Sequence, residues 1–337
     1  MIGRLRKNSG LLERPYALKR MKLFFDRGFA FYAEFSLRLF WMLLGQRKDL
    51  LYANDLDTLL PNFLISRISG VPLVYDSHEY FTEVPELLER PNTRSFWLSI
   101  EEFVFPRLNP VITVNEELAR IYQERYRVPV EVIRNVPELI PGKNDVENSR
   151  GFRENHTLIY QGALNMGRGI ELMIDSMPLL DDCTLILAGE GDISAALKTR
   201  VESKGLTDRI LFKGRLDPKV LRDLTRTADL GLSLEEDLGL NYRYALPNKI
   251  FDYIHAGIPV VVSDLPVMGG FVREHKVGEI LSDRSPEALA RRVREVLSKR
   301  ETYSPCLNAA ALEFNWDNEK VKFLKLLENL EKNLEHR

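Results

Sequence analysis

The chain is poor in three features, and each shortage excludes a class of protein. Its 337 residues include only two cysteines, Cys183 and Cys306, which lie far apart and indicate neither a disulfide framework nor a zinc cluster. No apolar run reaches about 18 residues and no signal-peptide core opens the chain, which argues against a membrane span and against secretion. The net charge of -2 offers no basic excess for nucleic-acid phosphates. We therefore expect a cytoplasmic protein that binds no nucleic acid.

Short apolar runs alternate with helical patterns along the chain, and this alternation predicts an α/β fold class. Near-continuous apolar runs are typical of strands in parallel sheets that are covered on both faces. The predicted strands span residues 50–53, 72–75, 111–114, 130–133, 158–160, 184–187, 210–212, 230–234, 260–262 and 278–281. A length of 337 residues favours two such domains.

A polar stretch separates the two halves of the chain. Residues 136–157 combine two prolines, two glycines and many polar side chains, and they show no hydrophobic periodicity. We therefore place a first domain at residues 1–140, a linker at 141–156 and a second domain at 157–314. Residues 315–337 are predicted to form a C-terminal helix, and a return of this helix to the first domain is left open.

The segment 29–44 is strongly apolar but carries Glu34 and Arg38, four residues apart on one helix face. Basic residues precede it: Arg14, Lys19, Arg20, Lys22 and Arg27. Such a segment fits either a helix packed on a sheet or an amphipathic helix on a membrane surface. We favour the packed helix, and association with the inner face of the membrane is the alternative.

Residues 246–264 predict a short helix that leads into a buried strand. Pro247 suits the first helical turn, and a glycine follows the predicted helix end. Lys249 and Asp252 are three residues apart and therefore share one helix face. A cation and free amides at a helix start can hold a diphosphate, and a carboxylate one turn later can accept hydrogen bonds from a ribose. A surface ion pair is the alternative.

Three glycine-containing loops follow predicted strands upstream of this helix. Glycine lets the backbone approach a ligand closely, and arginine supplies a fixed cation. Ligands of open parallel sheets bind outside the carboxyl ends of the strands, so we expect these loops and the Lys249 helix to meet at one edge. The loop residues of interest are Gly162, Gly167, Arg168, Gly191, Arg215 and Leu216.

In this order, the motifs resemble the donor domain of GT-B glycosyltransferases of family 4, the retaining sugar transferases. The resemblance runs from residue 158 to 264 and ends in the specific pattern Pro-x-Lys-x-Phe-Asp-Tyr-x-x-Ala-Gly-x-Pro-Val-Val. It implies that Arg168 and Lys249 neutralise the diphosphate of a nucleotide-sugar donor. It also implies that Asp252 binds the ribose of that donor.

The resemblance assigns the remaining loop residues as well. Arg215 and Leu216 would lie near the base of the nucleotide, and Gly162 would let its loop face the reacting sugar. Gly167 and Gly191 are grouped with the same donor-binding residues. The nucleotide sugar enters as a co-substrate, and neither a cofactor nor a metal is expected.

The chain departs from the family pattern at one acidic position. Many members carry two glutamates with seven residues between them, but Tyr244 stands where the first belongs if Asp252 is the second. We predict that Glu236 or a neighbouring acid lines the sugar pocket together with Asn241, and a solvated acidic turn is the alternative. The nearest upstream acids are Glu235, Glu236 and Asp237.

In the first half of the chain, His78 follows a predicted strand. The surrounding residues resemble the acceptor domain of the same family, in which a histidine of this loop contacts the reacting sugar. The resemblance implies that His78 orients the donor sugar and serves catalysis with Arg168 and Lys249. Asp55 and Asp57 form an Asp-x-Asp pattern, which we interpret as a helix start rather than a metal site.

The resemblance implies a GT-B fold, with two Rossmann-like domains whose parallel sheets face a cleft. Residues 1–6 look like the end of the family's second strand, so the first domain is expected to lack its opening strand and helix. The expected activity is metal-independent, retaining transfer of a sugar to a hydroxyl of a glycan or a lipid-linked acceptor. A catalytically impaired donor-binding protein and a sugar-nucleotide epimerase on the same fold are the alternatives.

Overall fold

The computed structural model describes residues 1–4, 16–139 and 155–335, with side chains described up to residue 332. The predicted linker at 141–156 lies outside the described residues except for its last two positions. The chain divides into two compact units. The first contains Met1–Ile133 and Leu326–Arg337, and the second contains Arg134–Lys325.

Before residue 134, the first unit is built on parallel strands, five α-helices and two 3-10 helices in the part that the structure describes. Its strands are β1 (Ile2–Arg4), β2 (Lys19–Met21), β3 (Leu51–Asn54), β4 (Leu73–Ser77), β5 (Val111–Thr113) and β6 (Val130–Val132). Strands β3 to β6 form one parallel sheet in chain order, and β1 and β2 form a separate parallel pair. The α-helices are α1 (Gly28–Leu44), α2 (Leu56–Ser69), α3 (Pro85–Leu88), α4 (Pro91–Val104) and α5 (Glu116–Tyr126), and the 3-10 helices are Phe81–Glu83 and Phe105–Arg107.

Helix α1 is packed on one face only. Phe35, Leu39 and Leu43 recur every four residues and are buried. Leu37 and Trp41, on the opposite face, are exposed. The predicted packed helix is therefore present, but the apolar side chains on its opposite face are exposed. No helix within the described ranges is long and apolar enough to cross a membrane.

Six parallel strands form the sheet of the second unit. They are β7 (His156–Gln161), β8 (Cys183–Ala188), β9 (Ile210–Phe212), β10 (Leu230–Ser233), β11 (Val260–Ser263) and β12 (Gly278–Leu281). Their spatial order is β12-β11-β10-β7-β8-β9, so the winding direction reverses between β7 and β10. Ligands of open α/β sheets bind at such a reversal, outside the carboxyl ends of the strands.

Helices follow most of these strands. Their bounds are α6 (Ile170–Ser176), α7 (Ser194–Ser203), α8 (Pro218–Thr227), α9 (Leu240–Arg243), α10 (Asn248–His255), α11 (Pro266–His275), α12 (Pro286–Ser298), α13 (Ser304–Glu313) and α14 (Trp316–Glu335), with 3-10 helices at Met177–Leu179 and Arg300–Tyr303. Helix α14 belongs to the second unit up to Lys325 and to the first unit from Leu326.

The predicted fold class, α/β with parallel sheets in two Rossmann-like domains, is confirmed. All ten predicted strands are present, and their ends differ from the prediction by two residues or fewer. The predicted strand at the beginning of the chain is also present as β1, although it pairs with β2 and not with the four-stranded sheet.

Candidate functional site

Two glycines bring the carboxyl ends of β7 and β8 together. The Gly162 N–H donates to the Ala188 carbonyl oxygen at 3.0 Å. A Cβ on Gly189 would lie 1.8 Å from the Gly162 carbonyl oxygen, so only glycine fits there. A Cβ on Gly162, whose φ is +133°, would lie 3.6 Å from the Lys249 side chain. The predicted glycine loop and the predicted helix therefore meet at this edge of the sheet.

Lys249 is buried in the first turn of helix α10. Pro247 immediately precedes this helix, one position earlier than the predicted place in its first turn. The Lys249 ammonium lies 4.3 Å from the centre of the Tyr160 ring and donates to the Glu235 carboxylate at 2.6 Å. Only 8% of the Lys249 side chain is exposed. Lys249 therefore pairs in the interior with Glu235, and not at the surface with Asp252.

Glu235 is the counter-ion of both predicted cations. Its side chain is fully buried, accepts a hydrogen bond from Ser233 Oγ at 2.7 Å and lies 3.5 Å from Arg168 Nη1. Burial alone would raise the pKa of Glu235, but Lys249 and Arg168 outweigh that effect and hold the pKa below its usual range. The cluster thus combines two cations with one anion and keeps a positive charge.

The neighbouring acid, Glu236, occupies a different environment. It is half-exposed, and its carboxylate lies 3.6 Å from the Arg284 guanidinium. Arg284 also donates to the carbonyls of Leu234 and Glu235 at 3.0 and 3.2 Å, which fixes the path of the loop after β10. The structure therefore places Glu235, and not Glu236, against the two cations. Asn241 is buried in helix α9, and a sugar pocket lined by Glu236 and Asn241 stays a prediction.

Two glycines position Arg168 ahead of helix α6. Gly167 and Gly169 adopt φ values of +76° and +70°, and a Cβ on Gly167 would lie 2.4 Å from Leu238. The Arg168 guanidinium lies over the Tyr242 ring, with its Cζ atom 4.6 Å from the centre of the ring. Its Nε is buried and has no hydrogen-bond partner in the described residues. An unpaired buried donor costs free energy, and a ligand oxygen that accepted from it would remove that cost.

Asp252 is held by a chain of buried hydrogen bonds. Gln161, at the end of β7, donates to Asp252 Oδ2 at 2.5 Å, and Thr225 donates to the Gln161 side-chain oxygen at 2.8 Å. Burial raises the pKa of Asp252 to about 6, against the lowering effects of Gln161 and Arg222. Within the described residues Oδ1 accepts no hydrogen bond, which leaves this oxygen for a ligand. Neither Gln161 nor Thr225 was predicted as a site residue.

The other predicted donor residues lie on neighbouring loops. A Cβ on Gly191 would lie 2.4 Å from the Leu164 carbonyl oxygen, and the Gly191 N–H donates to Ser194 Oγ at 2.9 Å. Beyond β9, Arg215 is exposed and Leu216 is half-buried. A role for these two residues in binding a base stays a prediction.

His78, in the first unit, lies in a cluster of carboxylates at the end of β4. Its N–H donates to Asp55 Oδ1 at 3.0 Å, and its Nε2 lies 3.0 Å from Asp76 Oδ2. Hydrogen bonding to Asp76 raises the pKa of His78. Asp57 lies in the first turn of helix α2, and burial raises its pKa to about 6. In residues 1–4, 16–139 and 155–335, no three histidine, cysteine or acidic side chains form a group that could hold a metal.

Both units match known protein families. Residues 143–312 match the family described as "Glycosyl transferases group 1", and this match spans half of the chain. Residues 4–137 match the family described as "Glycosyltransferase Family 4".

Individual proteins resemble the chain at lower identity. An uncharacterized glycosyltransferase of Methanocaldococcus jannaschii is 24% identical over 62% of this chain and 57% of its own length. Alpha-D-kanosaminyltransferase of Streptomyces kanamyceticus is 22% identical over 67% of this chain and 61% of its own length. The chain thus spans about six tenths of these relatives. The structure of Anabaena HepE with UDP and glucose has a TM-score of 0.70 at 18% identity, covers 92% of this chain and 86% of HepE, and shows a shared fold.

Proposed function

Because the chain belongs to the group 1 glycosyltransferases of family 4, we propose that it transfers a sugar from a nucleoside-diphosphate donor. The proposed acceptor is a hydroxyl of a glycan or of a lipid-linked sugar, and the proposed product retains the anomeric configuration of the donor. One observation carries this proposal: two cations share the buried Glu235 carboxylate beside the tethered Asp252.

The cation cluster suits a diphosphate. Glu235 fixes Lys249 and Arg168 before any donor arrives, so binding requires little reorganisation of charged groups. The unpaired Arg168 Nε would gain an acceptor, and the first N–H groups of helix α10 would add positive potential. As the bond between sugar and diphosphate breaks, negative charge grows on the leaving group, and these positive groups would stabilise it.

Asp252 suits the ribose of the donor. Because Gln161 holds Oδ2, the carboxylate has a fixed orientation, and Oδ1 is left to accept a ribose hydroxyl. Arg215 and Leu216 are the proposed neighbours of the base. Since HepE is described in complex with UDP, uridine diphosphate is the first nucleotide to test.

In the proposed reaction, the acceptor hydroxyl attacks the anomeric carbon from the face that the diphosphate leaves. The new carbon–oxygen bond forms as the bond to the diphosphate breaks, and the hydroxyl proton passes to a leaving phosphate oxygen. Arg168 and Lys249 would neutralise the leaving group without a metal ion. His78 would orient the donor sugar. We place this reaction in the cytoplasm, in the assembly of a polysaccharide or glycolipid, with the chain in peripheral contact with a membrane.

A thermal-shift screen followed by calorimetry tests the donor site. A nucleotide sugar that binds only the folded chain raises Tm and identifies the donor. Titration of that donor is then compared for wild type, Arg168→Gln and the control Arg291→Gln, which alters an exposed arginine on α12. We expect at least about tenfold weaker binding for Arg168→Gln, because a hydrogen bond to a charged group contributes about 1.5–3 kcal/mol. The control should bind as wild type does.

Unchanged donor affinity in Arg168→Gln would contradict the assigned site. Mass spectrometry of the products then separates the alternatives for a chain that does bind. A glycosylated acceptor supports transfer, an isomerised donor supports an epimerase, and binding without either product supports a donor-binding protein.

A further inference from the structure

Helix α1 carries a bare apolar stripe on the surface of the first unit. The stripe, here called the α1 stripe, consists of Ala30, Ala33, Leu37, Trp41 and Leu44, all exposed. Their spacing of three and four residues places them on one helix face, opposite the buried face. Leu37 and Trp41 expose 60% and 62% of their surface. Exposed apolar surface of this extent indicates an interaction site.

Three exposed phenylalanines lie beside the first turns of the same helix. Phe24, Phe25 and Phe29 are 85%, 52% and 68% exposed. The Glu34 carboxylate accepts hydrogen bonds from the backbone N–H groups of Phe24 and Phe25 at 2.9 to 3.0 Å, and it forms an ion pair with Arg38 at 2.8 Å. The one acid within α1 is therefore neutralised, and it holds the backbone of the two exposed phenylalanines against the helix.

The segment around the α1 stripe is basic. Residues 16–50 contain seven basic and three acidic side chains, although the net charge of the whole chain is -2. Two of the acids are paired, Asp26 with Arg4 and Glu34 with Arg38. The basic side chains are Lys19, Arg20, Lys22, Arg27, Arg38, Arg47 and Lys48. Positive charge beside exposed aromatic and aliphatic side chains complements an anionic bilayer surface.

We propose that the α1 stripe docks on an anionic lipid bilayer, with α1 lying in the plane of the membrane surface. Trp41 suits this position because tryptophan is enriched where the bilayer meets water. A second copy of the chain fits the stripe less well, because a two-fold contact would bring two basic segments together. The inference rests on the proposed function in that it would bring the chain to a lipid-linked acceptor. Vesicle binding itself needs neither donor nor acceptor.

Vesicle flotation of the full chain tests this proposal. Wild type should float with vesicles of phosphatidylcholine and phosphatidylglycerol, and less so with phosphatidylcholine alone or at raised salt. The variant Leu37→Ser/Trp41→Ser should bind the anionic vesicles at least about tenfold more weakly than wild type does. The control Leu312→Ser changes a side chain that is 63% exposed on α13, in the second unit, and should float as wild type does. All three proteins should keep their donor affinity in calorimetry, which separates this test from that of the proposed function.

Tryptophan emission provides a second readout. Anionic vesicles should shift the wild-type emission to the blue, and Trp41→Phe should lose that shift while still floating. Failure of wild type to bind, or equal binding by Leu37→Ser/Trp41→Ser, would overturn the proposal. Light scattering that shows a wild-type dimer and a monomeric double variant would also overturn it, because a second copy would then cover the stripe.

Discussion

Replacement of Glu235 by glutamine would test whether this buried carboxylate holds the two cations in place. Glu235 is fully buried, 2.6 Å from the Lys249 ammonium and 3.5 Å from the Arg168 guanidinium. Glutamine keeps the size of the side chain but leaves both cations without their counter-charge. Breaking a buried ion pair in this way costs about 3–5 kcal/mol. In a domain of this size each kcal/mol lowers Tm by about 2–4 °C, so a decrease of roughly 6–20 °C is expected.

A bound diphosphate should reverse part of this loss. In Glu235→Gln the phosphates would supply the missing negative charge, so UDP should raise Tm more than it does in wild type. Scanning calorimetry with and without UDP measures both effects. Glu236→Gln is the matched control, because a half-exposed carboxylate 3.6 Å from Arg284 should contribute less than about 1 kcal/mol. Equal stability of the two variants, or a smaller UDP effect in Glu235→Gln than in wild type, would refute the reasoning.

The difference in stability between wild type and Glu235→Gln should depend on pH. Folding lowers the pKa of Glu235 below its unfolded value of 4.5. Its contribution to the free energy of unfolding is therefore complete above about pH 4.5 and is lost as pH falls through the lower folded pKa. The difference in Tm between wild type and Glu235→Gln should thus stay constant from neutral pH to about pH 5 and shrink in more acidic buffer.

Three further predictions concern neighbouring residues. Wild-type affinity for UDP should fall below about pH 6, where Asp252 takes up a proton, and Asp252→Asn should weaken binding and make it less dependent on pH in calorimetry. Thr225→Val should lower the free energy of unfolding in urea by about 1–3 kcal/mol, because the buried Gln161 oxygen loses its donor. Gly189→Ala should cost much more than Gly205→Ala in the same titration, because its Cβ would lie 1.8 Å from a backbone oxygen, whereas a Cβ on Gly205 meets nothing within 4 Å. A flat pH profile, an unchanged urea midpoint and equal costs at the two glycines would contradict these predictions in turn.

Strands of the second unit could be predicted because strands covered on both faces are continuous apolar runs, as β10 and β11 are. The ends of the strands could be predicted less closely, because a strand can continue past its apolar run, as β7 does to His156 and Gln161. Helix α1 was predictable as a helix. The exposed α1 stripe could not be predicted, because apolar residues occur on both faces of the helix and hydrophobic periodicity cannot distinguish a packed face from an exposed one.

Within the site, local spacing predicted Lys249 and Asp252, and the glycine loop predicted Arg168. Long-range contacts could not be predicted in the same way. Arg284, 49 residues beyond Glu235, fixes the path of the acidic loop and so determines which acid faces the cations. Gln161 is 91 residues from Asp252, and no local pattern connects the two.

A crystal structure of the chain with UDP would test the donor site most directly. We predict phosphate oxygens within hydrogen-bond distance of Lys249 Nζ and Arg168 Nε, and a ribose hydroxyl that donates to Asp252 Oδ1. UDP bound at another place, with Lys249 and Arg168 still in contact only with Glu235, would contradict the proposed donor site.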